Sequence, residues 1–148
     1  MTVLTIVTGP PCAGKTTHVR THAKPGDIVV DYDQIAQALG SPDTHDHPAP
    51  IAYVAKAARQ TAIRAAIGCH RRGSTVWIID TAPSPHRQHQ YAKAGAKVIT
   101  LTAPADELHR RAQDRPEAWH ALIDQWLADH EGPNDHAAHT GTWRPRSW

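Results

Sequence analysis

Residues 9–16 read GPPCAGKT and stand directly behind the β-branched run TVLTIVT. Gly9, Gly14, Lys15 and Thr16 satisfy the spacing G-x-x-x-x-G-K-[ST] in full. Each piece has a physical reason. The two glycines let the backbone turn tightly, so that the N–H groups of the span Pro10, Pro11, Cys12 and Ala13 point at an anion. Lys15 adds a mobile positive charge for the terminal phosphates of a nucleotide, and the Thr16 hydroxyl is a ligand for Mg²⁺. With Thr17 the chain enters KTTHVRTHA, a helix whose positive end faces the same anion. Strand before and helix after are the context this motif requires.

The strand–helix alternation continues. DIVVD (27–31), STVWIID (74–80) and AKVITLT (96–102) are further apolar runs with helical stretches between them. The pattern predicts an α/β fold: a three-layer sandwich with a central, mostly parallel sheet of four to five strands and helices on both faces. DYDQIAQALG (31–40) starts where the second strand ends and continues as a short helix closed by Gly40, with Asp33 suited to its cap. A Pro- and His-rich loop, SPDTHDHPAP, follows. Residues 51–73 read as a long helix with Ile51, Val54, Ala58, Ala62, Ala65 and Ala66 on its inner face. Ser84 caps a helix that has Pro85 at its first position. PADELHRRAQDR and PEAWHALIDQWLADH are two more helices, split at Pro116.

A chain of 148 residues, 40% hydrophobic, suits one compact domain. The net charge of +2 points only weakly to nucleic acid, although arginine supplies 11 of the 16 basic residues. Cys12 and Cys69 have no metal-ligand spacing, and neither do His45 and His47, which flank Asp46. A secretory leader and a membrane-length apolar run are both missing from the sequence, so the expected location is the cytoplasm, or a host's cytoplasm for a viral protein.

Ligands of parallel sheets bind at the carboxyl ends of the strands. The glycine loop ends strand one, Asp31 and Asp33 end strand two, and Asp80 ends strand three. Phosphoryl transfer needs these parts: a base for the attacking hydroxyl, a metal, and cations on the developing charge. Asp33, and less strongly Asp31, fits the base. Asp80 fits a carboxylate that holds Mg²⁺ with Thr16 or touches the acceptor. Arg110, Arg111 and Arg115 cluster in ELHRRAQDRP, and Arg115 sits at the helix break where a lid would carry its phosphate contact.

Together these stretches resemble the 5′-kinase domain of phage polynucleotide kinase, within the small P-loop kinases. The resemblance runs through most of residues 1–130. It implies a P-loop NTPase/kinase domain over 1–131 with a helical lid at about 104–118, followed by an irregular tail at 132–148. ATP and Mg²⁺ are the implied cofactors. Lys15, Asp33 and Arg115 are the implied catalytic residues. The loop from Gly9 to Thr17 with Arg111 and Arg115 would bind the nucleotide, Thr16 and Asp80 the metal, and Asp33 and Asp80 the acceptor, a hydroxyl such as a DNA or RNA 5′ end. The family's arginine just after the catalytic aspartate has no counterpart among Ile35 to Gln37.

Two other readings fit the same residues. One is a nucleoside or nucleotide kinase, which differs only in the acceptor pocket. The other is a small accessory P-loop ATPase that meets a protein partner or nucleic acid through TWRPRSW, where Trp143 and Trp148 interleave with Arg144 and Arg146.

Overall fold

The computed structural model describes residues 2–130 and the backbone of residues 139–142. In chain order the elements are β1 (Leu4–Thr8), α1 (Lys15–His22), β2 (Ile28–Val30), α2 (Tyr32–Ala38), α3 (Ala49–Arg71), β3 (Val76–Ile79), α4 (Pro85–Lys93), β4 (Lys97–Thr100), α5 (Ala105–Arg111), α6 (Ala118–Asp129) and β5 (His139–Thr142). The strands lie in the order β2-β3-β1-β4-β5. The first four are parallel, so the α/β layering and the mostly parallel sheet expected from the alternation are present. β1 is the centre of the sheet and buried along its whole length, as a strand covered on both faces must be.

Alternate residues of the strands face opposite helix layers. Leu4, Ile6, Val76, Ile78 and Val98 pack with Ile63, Ala66 and Ile67 of α3 and Tyr91 of α4. Val7 and Ile79 turn the other way, onto Val19 of α1. A third cluster joins α5 to α6 through Leu108, Ala112 and Ile123, and rests on Cys12 and Ala13. The pair of helices split at Pro116 is therefore docked on the glycine loop. Among the described residues no helix is long and apolar enough to cross a membrane.

The structure corrects the sequence reading in two places. Residues 139–142, assigned to an irregular tail, run as β5, antiparallel to β4, with Thr100 opposite His139 and Lys97 opposite Thr142. HTGT is too short and too glycine-weakened to announce a strand, but β4 offers it an open edge. Trp143, Arg144, Arg146 and Trp148 of the expected interaction tail lie outside the described residues.

The second correction is the phase of α3. Its buried row is Ala55, Ile63, Ala66 and Ile67, whereas Val54 is 48% exposed and Ala65 is exposed. Arg59 occupies the inner row between Ala55 and Ile63 and reaches the end of β3. A charged residue on the core-facing stripe hides that stripe from a periodicity count, and the apparent face rotates by one residue.

This phase predicts that Ile63→Ala lowers the unfolding free energy by about 3 kcal/mol. Val54→Ala changes it by less than about 0.5 kcal/mol. Urea denaturation of the two variants checks it, and a reversed ranking would restore the rotated face.

Candidate functional site

The glycine loop folds as its spacing demands. Gly9 has φ +148°, and a Cβ there would stand 2.0 Å from the main-chain oxygen of Leu101, which no backbone can yield. Gly14 caps α1 in the left-handed region at φ +88°. Cys12 is the one non-glycine residue with positive φ among those described. The turn brings Lys15 back over its own loop, where Nζ donates to the carbonyls of Gly9 at 2.8 Å and Pro10 at 2.7 Å. Burial lowers the Lys15 pKa from 10.5 to about 8, opposed by the charges of Cys12, Asp31, Asp33 and Asp80.

Three carboxylates stand around this lysine. Asp31, not Asp33, is the cap of α2: its Oδ1 accepts from the Asp33 N–H at 3.0 Å. Its Oδ2 accepts from the Thr16 hydroxyl at 3.2 Å. Burial, and next the Asp33 charge, pushes the Asp31 carboxyl above the usual carboxylate range. Asp33 is left free of capping and is held by histidines, with Oδ1 at 2.7 Å from His47 Nε2 and Oδ2 at 3.3 Å from His45 Nδ1. Asp80 is buried at the end of β3. The Tyr91 hydroxyl donates to its Oδ2 at 2.8 Å, and Arg59 Nη2 stands 3.3 Å from its Oδ1. Burial and the adjacent carboxylate raise the Tyr91 pKa, so the hydroxyl remains a donor.

Residues of α5 and the turn after it close the other side. Arg111 Nη1 donates to the carbonyl of Cys12 at 3.0 Å while its Nε donates to Glu107. Arg115 lies over the ring of Trp119, 5.8 Å from its centroid. Arg110 turns outward to Glu107 and is well exposed. Trp126 of α6 donates from Nε1 to the carbonyl of Thr81, tying α6 to the segment after β3. Loop, carboxylates and these two helices line one open cleft of ≈ 1110 Å³.

The cleft gathers Pro11 to Thr17, Asp33, Asp80, Arg111 and Arg115, whereas Gly9 and Pro10 lie behind it, with their carbonyls on Lys15. The pairing inside it differs from the sequence reading: Thr16 meets Asp31, and Asp80 meets Arg59 and Tyr91. Sequence reasoning missed Arg59, Tyr91 and the hold of His45 and His47 on Asp33. Arg59 had a signal, as the charged interruption of an apolar helical row. The histidines had none, because only the fold of the loop brings them back onto α2.

A family model described as an AAA domain matches residues 6–122 of the chain. No curated protein matches it. Among solved structures, one titled as the Pnkp1/Rnl/Hen1 RNA repair complex superposes with a TM-score of 0.62 at 16% identity, covering 98% of this chain and 50% of that one. Another, titled as the Pnkp1/Rnl/Hen1 complex, gives 0.54 at 18% identity, over 78% of this chain and 40% of that one. The present chain thus spans half or less of the length of these solved chains, and the likeness is one of fold. It bears out the P-loop kinase-like architecture read from the sequence.

Lys15 sets a pH dependence. Below pH 8 it is charged whether folded or unfolded, and its burial cost is present in full. Between pH 8 and 10.5 the unfolded chain holds the proton that the folded one has lost, so stability from this group rises with pH. In metal-free buffer, Lys15→Met is therefore more stable than the parent at pH 7. The gap narrows by roughly 3 kcal/mol on going to pH 10.5. Chemical denaturation of both proteins across that range checks it; a constant gap would mean that the buried ammonium is not strained.

Proposed function

We propose that this chain, which belongs to the AAA domain family and carries a P-loop kinase-like fold, transfers the γ-phosphate of ATP to a hydroxyl, foremost the 5′-OH end of a polynucleotide. The observation that carries this reading is the single cleft shared by the glycine loop and by Asp33. Hydrolysis and transfer both need the first, and both use a base beside it; a transferase also needs room for an acceptor hydroxyl at that base, and the open cleft leaves Asp33 such room.

In this reading the loop from Gly9 to Thr17 cradles the ATP phosphates, and Lys15 leaves its two carbonyl partners for their oxygens. Arg111 and Arg115, on the lid formed by residues 104–118, add cations to the phosphate chain. The acceptor hydroxyl gives its proton to Asp33 as its oxygen bonds to the γ-phosphorus, and ADP departs. Thr16 and Asp31 are hard oxygen donors already in contact beside the phosphate-binding lysine, and such a pair fits Mg²⁺. Magnesium supplies neutralising charge on the β- and γ-oxygens. Asp80 is assigned to the acceptor side with Arg59, since both of its oxygens are engaged away from Thr16. Support for a polynucleotide acceptor is the openness of the cleft and its lining by Arg20, Lys56, Arg59 and the partly exposed Trp119, a basic surface with an aromatic face.

Incubation with γ-labelled ATP and Mg²⁺ against a 5′-hydroxyl oligonucleotide, a panel of nucleosides and nucleotides, and water tests the proposal. Label is expected on the oligonucleotide, with a loss of at least about a hundredfold in Lys15→Ala. Label on a small acceptor makes the protein a nucleoside or nucleotide kinase, and label released only as inorganic phosphate makes it an accessory ATPase.

A further inference from the structure

The loop between α2 and α3 does more than connect them. Asp43 Oδ1 accepts from the N–H groups of His45 at 2.8 Å and Asp46 at 2.9 Å, which folds the segment into a tight turn. The turn delivers two histidines to one carboxylate. Of these, His47 is almost wholly buried, with its side chain 2% exposed, and it makes the shorter contact. Its ring is also held from the side by the edge of Tyr32, at 5.5 Å between centroids.

Proton bookkeeping orients the ring. A carboxylate only accepts, so Nε2 carries the proton that meets Asp33 Oδ1 at 2.7 Å. Nδ1 meets Ser41 Oγ, also at 2.7 Å. The same hydroxyl donates to the carbonyl of Asp43 at 3.1 Å, which fixes Ser41 in the turn. Ser41 thereby holds the far side of the ring while Nε2 donates to Asp33, the way an outer residue orients a histidine. His45, at 3.3 Å, holds Oδ2 only loosely.

We infer that His47 is a positioning residue: the chain Ser41–His47–Asp33 pins one oxygen of the carboxylate, so that the other, Oδ2, faces the incoming hydroxyl. This rests on the proposed reading of Asp33 as the base. The relay ties the loop to α2 and, in doing so, fixes the direction of one carboxylate; a base must be aimed before it is useful.

The test is steady-state transfer from γ-labelled ATP to a 5′-hydroxyl oligonucleotide, or to whichever acceptor of the panel takes label. His47→Leu is expected to lower kcat on the order of a hundredfold with KM for ATP unchanged. His47→Gln, which keeps an N–H donor, recovers most of the loss, and Ser41→Ala costs roughly tenfold by loosening the orientation of the ring. In an Asp33→Ala background His47→Leu adds nothing, because there is no base left to aim. Full activity of His47→Leu, or an equal loss with and without Asp33, overturns the inference while leaving the transferase reading intact. If His47→Leu does not fold, Ser41→Ala and His47→Gln carry the same comparison. A parent protein that labels no acceptor, or an Asp33→Ala protein that is fully active, removes the underlying reading and this inference with it.

Discussion

Three charged side chains are buried among the described residues, Lys15, Asp31 and Asp80, and they stand at one edge of the sheet. Burying a charge is costly unless it is paired and hydrogen-bonded: all three are hydrogen-bonded, Asp80 also has an ion-pair partner, and burial still shifts Lys15 down and Asp31 up. Lys15 spends its protons on two loop carbonyls, Asp31 is held by Thr16 and a helix N–H, and Asp80 by Tyr91 and Arg59. Parallel register is what brings them together. Ile6, Ile78 and Val30 sit side by side across β1, β3 and β2, so the residues that follow each strand emerge at the same edge. The core exists on both faces of the sheet to hold this edge in register.

Much of this was legible in the chain because the physics is local. A glycine that cannot carry a Cβ, a lysine–threonine pair that opens a helix, and apolar runs ending in aspartate each state their surroundings in a few residues. What stayed hidden depends on contacts distant in sequence. Asp31 and Asp33 are two residues apart and chemically alike, and only the fold separates them, giving Asp31 the cap and Thr16 and giving Asp33 the two histidines. Arg59 was lost because it interrupts the apolar row of α3, and β5 because an open edge, rather than its own composition, makes HTGT a strand. The family match and the solved structures agree with the fold that was legible.

The α5–α6 segment and the loop after α2 meet the same cleft from opposite sides. Arg111 touches the glycine loop directly. His45 lies between Asp33 and the ring of Trp119, which in turn carries Arg115. A chain of contacts thus runs from Arg115 to the proposed base and joins the two sides of the cleft.

The central claim is that the buried charges are a nucleotide site completed by a divalent cation at Thr16 and Asp31. Calorimetric titration of a non-hydrolysable ATP analogue, with and without Mg²⁺, into the parent protein and Asp31→Asn tests it most directly. The account predicts that Mg²⁺ tightens binding to the parent by at least about tenfold and that Asp31→Asn abolishes this gain while still binding the metal-free analogue. Equal affinity with and without Mg²⁺ in the parent, or an undiminished gain in the variant, would contradict it.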